Sequence, residues 1–257
     1  MLHTSLQGPQ DAPIIAFLHA VGISSWMWRD VAAALPDYRI LLIDLPGHGQ
    51  SRDVPWVSLE KSANQAAGAI RKQAIGAEVH LVALSLGSYV GLQVVMQHPQ
   101  LCASALLSGI HPGDMPNKGM MKLMSTVMAP LAPRPFMARR TARMMGADAD
   151  VDGFVAAAAR TRPAAFRRAT NEVVDFDLSK TPPQPETRLA FVAGSREHAL
   201  IVDGLDVFKE CFPGSVSATA EGLGHGWAGE DPKLFAGFVQ AHINGNLPAT
   251  AQALQNR

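Results

Sequence analysis

The chain has 257 residues, of which 47% are apolar and 17% charged. That is enough for one large globular core and too apolar for a disordered chain. Twenty-two Lys and Arg balance twenty-two Asp and Glu, so no overall field draws the chain to nucleic acid or to a membrane, and neither is an expected partner. Cys102 and Cys211 supply no disulfide framework and no metal-ligand spacing. Free thiols in a reducing compartment are the simpler reading, and neither a metal nor a cofactor is expected.

In chain order, the first strong element is the apolar run 14–19, read as a buried strand. It is too short to span a bilayer and too near polar residues to serve as a signal sequence, so a cytoplasmic location is expected. A helical pattern at 26–35 ends at Pro36; within it Trp26 and Trp28 read as core anchors. Then come a strand at 40–44, a helix at 59–75 ending at Gly76, a strand at 79–84, a helix at 86–97 ending before Pro99, and a strand at 105–107. After a long interruption, strands follow at 189–193 and 216–220, and a helix at 231–243 opens with an acid and a proline. The strands are continuously apolar rather than alternating, as strands covered on both faces are. The alternation of strand and helix predicts an α/β class with a doubly wound, mostly parallel sheet.

The interruption, 112–185, has no strong strand and is rich in Met, Arg and Ala; eight of the eleven methionines fall between Met115 and Met145. It reads as a helical cap inserted into a core made of 1–111 and 186–257, with a Pro-rich return at 181–185. Its methionines suit an adaptable wall for an acyl chain, or plain packing of the cap against the body. The pairs Arg139–Arg140 and Arg167–Arg168 read as solvated surface for the most part, with contact to an acidic substrate tail as the alternative.

Ser85 stands where strand 79–84 gives way to helix 86–97. A serine on such a tight turn needs small residues two before and two after it, and Ala83 and Gly87 supply them. An isolated serine there would more often cap the helix; its place at the strand-to-helix junction favours a nucleophile. A serine hydroxyl needs a base within hydrogen-bond reach, and histidine titrates near working pH. Among nine histidines the candidate is His225, after the last strand and between Gly224 and Gly226; His198 is the rival. The partner acid is expected to be Glu197, three residues past Gly194 at the carboxyl end of a strand, where open α/β sheets build their sites. A surface glutamate paired with Arg196 is the plainer reading of that residue, and Asp203 is the fallback acid. After strand 105–107 no carboxylate appears until Asp114. An oxyanion would need preorganised donors. The backbone N–H groups of Leu86 and Val21 are expected to serve, with His19 bracing the Val21 loop.

These segments together resemble the α/β-hydrolase superfamily, in its serine-nucleophile branch with a helical cap. Phe17-Leu-His19-Ala-Val-Gly is similar to the oxyanion segment, with Ala20 for the usual glycine. Asp44-Leu-Pro-Gly-His-Gly-Gln-Ser51 matches a structural turn of the family, so Asp44 and His48 take no catalytic role. Ala83 replaces a glycine before the nucleophile, and Glu197 stands where an aspartate is usual. Gly224-His225-Gly-Trp, followed by Glu230-Asp-Pro, matches the region of the catalytic histidine. The resemblance covers 14–110 and 188–244. It implies a hydrolase of a small carboxylic ester or related acyl bond, working through an acyl-enzyme with no cofactor; Ser85 argues against members with an aspartate nucleophile. The same triad also serves carbon–carbon bond hydrolysis or perhydrolysis, and a ligand-sensing regulator with slow turnover shares the fold.

Overall fold

The computed structural model describes residues 1–113, 115–180 and 186–247. Seven strands, β1 (Thr4–Gln7), β2 (Ile14–Leu18), β3 (Arg39–Ile43), β4 (Val79–Leu84), β5 (Ser104–Ser108), β6 (Arg188–Gly194) and β7 (Val216–Ala220), form one sheet. Their order is β1-β3-β2-β4-β5-β6-β7. All neighbours run parallel except β1, which is antiparallel to β3. The six apolar runs became six parallel strands. β1 is an addition: Thr-Ser-Leu-Gln alternates between half-buried and exposed residues, a polar edge strand too short to stand out.

Successive side chains of a strand point to opposite faces, and here both faces are covered. Ile14, Ala16 and Leu18 of β2 join a core that includes Ala66, Val90 and Phe208. Ile15 and Phe17 join a second core with Trp28, Phe235 and Phe238. Helices α2 (Leu59–Gln73) and α3 (Leu86–Gln97) cover the first face; α1 (Arg29–Ala33) and, at the chain's end, Pro232–Ile243 cover the second. The predicted helix at 26–35 is split: a 3-10 turn, Ser25–Trp28, precedes α1. The Ser25 N–H donates to Asp44 Oδ1 at 2.9 Å, which ties the start of the 3-10 turn to the end of β3.

Among the described residues between β5 and β6 lie four α-helices: α4 (Lys118–Met128), α5 (Pro135–Met144), α6 (Val151–Ala158) and α7 (Pro163–Asp175). Among described residues 115–180 there is no strand; the predicted return at 181–185 lies outside the described residues. α4 packs on α7 and α5 on α6. Glu172 of α7 accepts from the Leu59 N–H and from Trp56 Nε1–H, both at 2.7 Å, so α7 caps the start of α2 from across the fold. β6 leads into α8 (Ala199–Val202) and α9 (Gly204–Cys211), and β7 into α10 (Trp227–Glu230) and α11 (Pro232–Ile243). No helix among the described residues is long and apolar enough to cross a membrane.

The strand order turns outward in both directions from β2 and β4, which pair in register at Leu18 and Ala83. Such a switch point opens a crevice at the carboxyl ends of its two strands. The loop after β2 and the turn after β4 therefore meet there.

Candidate active site

β4 ends at Leu84, and Ser85 follows with φ 54° and ψ −122°. A non-glycine residue in this region is strained by about 1–3 kcal/mol and persists only where its surroundings enforce it. The enforcement is visible. The Ser85 N–H donates to Ser108 O at 2.9 Å, and the Ser88 N–H to Ser85 O at 2.7 Å. Ser88 Oγ donates to the same Ser108 carbonyl at 2.6 Å. Ser85 holds the N-cap position of α3, yet its side chain makes no capping hydrogen bond, so the capping reading of this serine is excluded. Gly87 is small for a specific reason: a Cβ there would lie 2.2 Å from Leu18 O. α3 thus abuts the end of β2, which brings the β2 loop beside Ser85.

In that loop, burial pushes the His19 imidazole pKa down. The neutral ring donates from Nδ1 to Ala20 O (2.8 Å) and accepts the Leu45 N–H on Nε2 (2.9 Å), so His19 braces the loop. Among the described residues the Val21 N–H has no backbone partner outside regular elements, and Leu86 is the first residue of α3, whose N–H has no carbonyl within its own helix. Asp44 accepts from the Gln50 and Ser25 N–H groups, and His48 Nδ1 bonds Pro46 O. Both therefore hold the turn after β3.

His225 and Glu197 come together from separate loops. His225 Nδ1–H donates to Glu197 Oε2 at 2.5 Å, with the carboxylate side chain fully shielded and the imidazole 34% exposed. The other carboxylate oxygen accepts the Gly194 N–H at 2.9 Å. The loops after β6 and β7 are laced by Ser195 N–H to Ala220 O and Arg196 N–H to Leu223 O, both 2.9 Å. Arg196 pairs with Glu230 at 3.3 Å rather than with Glu197. Asp203 is exposed, and His198 accepts the Leu200 N–H; neither lies in this pair.

Two further residues hold the site and were not singled out from the sequence. A Cβ on Gly109, which has φ +65°, would sit 2.7 Å from His225 Cε1 and 3.4 Å from Glu197 Oε2. The Trp227 indole is fully buried and donates to Ser108 Oγ at 2.9 Å, fixing the chain two residues past His225. The signal for Gly109 is a glycine just past a buried strand at the sheet's carboxyl edge; its meaning depends on what packs there.

Ser85, Val21 and His225 line one cavity of about 300 Å³. Its walls are mostly apolar and include Ile23, Trp26, Met27, Met137, Phe154 and Phe166. Trp28 is a core anchor as expected, but Trp26 is a cavity wall, edge-on to Phe154. The one Lys or Arg among the described lining residues is Arg29. It is held by Asp30 at 3.0 Å and Asp150 at 2.6 Å, over the Trp26 ring. The described residues contain no group of three side chains suited to a metal ion, and both cysteines are free, Cys102 buried and Cys211 exposed.

The sequence model of the alpha/beta hydrolase family matches residues 15–238. The chain is 34% identical over 106 residues to a 2-succinyl-6-hydroxy-2,4-cyclohexadiene-1-carboxylate synthase from Enterobacter sp. (strain 638), covering 41% of each chain. It is 34% identical over 125 residues to a pimeloyl-[acyl-carrier protein] methyl ester esterase from Vibrio vulnificus (strain YJ016), covering 43% of this chain and 46% of that one. These matches thus span less than half the length of either relative. Among solved structures, an esterase from Exiguobacterium antarcticum superposes with a TM-score of 0.79 over 95% of both chains at 17% identity, a likeness of fold. With the switch-point crevice, the strained serine and a family match across most of its length, this chain belongs to the alpha/beta hydrolase family.

Proposed function

We propose that this chain is a serine hydrolase that cleaves a small carboxylic ester through an acyl-enzyme. Ser85 is the nucleophile, His225 the general base and acid, and Glu197 the group that orients the imidazole and balances its charge. The Val21 and Leu86 N–H groups receive the oxyanion, and the 112–185 segment caps the cavity over a core of 1–111 and 186–257. What carries the reading is the 2.5 Å hydrogen bond from His225 to a shielded carboxylate, at the wall of the cavity that Ser85 also lines. In this mechanism His225 Nε2 takes the proton from Ser85 Oγ as that oxygen attacks the acyl carbon. The bond to the alkoxy group breaks, and the imidazolium returns the proton to the departing alcohol. Water then repeats the sequence and releases the acid. The two free thiols suit a reducing compartment such as the cytoplasm.

A neutral ester fits the cavity better than a substrate with several carboxylates, because Arg29 is already neutralised by two aspartates. A panel of p-nitrophenyl esters beside a dienone substrate separates ester from carbon–carbon cleavage. A fluorophosphonate probe tests the nucleophile: the parent is expected to be labelled and Ser85→Ala not, with esterase kcat/KM falling by at least about 10³-fold. Labelling that survives Ser85→Ala overturns the reading.

A further inference from the structure

The zero net charge conceals a segregation. Between Met115 and Ala147 the chain carries Lys118, Lys122, Arg134, Arg139, Arg140 and Arg143 and no Asp or Glu. Lys122 is paired with Asp175 at 2.6 Å and Arg139 with Asp152 at 2.9 Å. Arg134, Arg140 and Arg143 are exposed, with no ion pair among the described residues.

The same stretch holds a helix whose apolar stripe faces outward. Met120, Leu123, Met124 and Val127 of α4 follow the spacing of a single helix face, and each is 50–61% exposed. The opposite side of α4 is the one that docks: Ser125 is buried and donates to Asn171 of α7 at 2.6 Å. On α5, Phe136 and Met144 are exposed on the same helix as Arg140 and Arg143. Among the described residues eleven large apolar side chains are exposed, and seven of them lie between Met120 and Met144. A helix on a globular body normally turns its apolar stripe inward, and a concentrated apolar patch marks a contact surface.

We propose that α4 and α5 form a docking surface for an anionic lipid interface. The apolar stripe enters the boundary between head groups and acyl chains, and the arginines with no ion pair among the described residues meet the negative head groups. A second copy of the chain fits this face poorly, because a two-fold contact of the surface with itself sets cations against cations. An uncharged partner leaves the arginines unmatched. The docking explains why these helices carry apolar residues on two sides: Met128 and Met137 line the cavity, while the outer stripe meets the lipid from which an apolar substrate arrives. The weak membrane attraction expected from net charge averages this cationic stretch against acids elsewhere. Surface binding needs no membrane-spanning helix.

Co-sedimentation of the intact chain with vesicles tests the proposal. At low salt the protein is expected to pellet with vesicles of phosphatidylglycerol and phosphatidylcholine. It stays in solution with phosphatidylcholine alone, and anionic binding weakens sharply at about 0.5 M salt. The double variant Arg140→Gln with Arg143→Gln lowers the partition coefficient about 25-fold, about fivefold per cation. Leu123→Glu with Val127→Glu removes binding. All four side chains are exposed and lie outside the cavity, so an unchanged melting temperature shows that the variants fold. The proposal fails if the parent does not pellet with anionic vesicles at low salt, or if binding survives both double variants. It also fails if a second copy or an acidic protein covers Leu123 and Val127 while vesicles do not bind.

Discussion

Gly109 has its importance because of what it lacks. A methyl group there would press on His225 Cε1 at 2.7 Å, and backbone at φ +65° resists a side chain in any case. The ring cannot yield freely, since Glu197 holds its Nδ1 and the carboxylate itself is tied to the Gly194 N–H. Gly109→Ala is therefore expected to displace the imidazole by a fraction of an ångström to an ångström. Misplacement of that size lowers kcat by about 10²-fold while leaving KM close to the parental value, because the apolar walls that hold the substrate are untouched. Steady-state kinetics on a p-nitrophenyl ester check this. A variant of parental kcat would show that the ring is not held where the reading requires it.

At the scale of elements, the connection between α7 and α2 is the point most exposed to a single change. Glu172 satisfies two donors at once, the Leu59 N–H at the first turn of α2 and the buried Trp56 indole. Glu172→Ala leaves the indole N–H buried without a partner and frees the Leu59 N–H, while Ser58 Oγ still caps α2 at the Lys61 N–H, at a cost of about 2 kcal/mol. Urea denaturation is expected to show a lower midpoint with an unchanged m-value. A shift below about 0.5 kcal/mol would mean that water replaces the carboxylate at both donors. The Ser85 turn is held in the same way, by neighbours rather than by its own sequence. β5 supplies the Ser108 carbonyl that receives both the Ser85 N–H and the Ser88 hydroxyl.

For the whole molecule, buried histidines set the response to acid. Burial brings His48 down to about 3, with neighbouring His19 adding to the effect. Burial first and the Arg188 cation second bring His242 down to about 4. Both rings are neutral in the fold, whereas the unfolded chain takes up these protons near the ordinary imidazole value of about 6.5. Between about 6.5 and 4 the unfolded state therefore binds more protons, and stability rises with pH across that window. The contribution of these groups is complete above about 6.5 and is lost as pH falls toward 4 and then 3. Calorimetry is expected to show a melting temperature that drops from pH 7 to pH 4.5. His242→Gln should flatten part of that drop, since glutamine has no proton to gain; an identical slope would rule out the assignment to His242.

The sequence by itself determined the layered α/β sheet and the place of Ser85 at a strand-to-helix junction flanked by small residues. Strands covered on both faces are written as continuous apolar runs, and a sharp strand-to-helix turn is written as small residues around one serine. Both are local demands, met within a few residues. β1 escaped because a polar edge strand has no such local mark. Only the tertiary structure decided that Glu197 rather than Asp203 meets His225, that Arg196 turns to Glu230, and that Trp26 walls a cavity. It alone decided that Gly109 abuts a ring 116 positions further along the chain. These outcomes depend on which distant loops the sheet order brings to one edge, and no neighbouring residue records that.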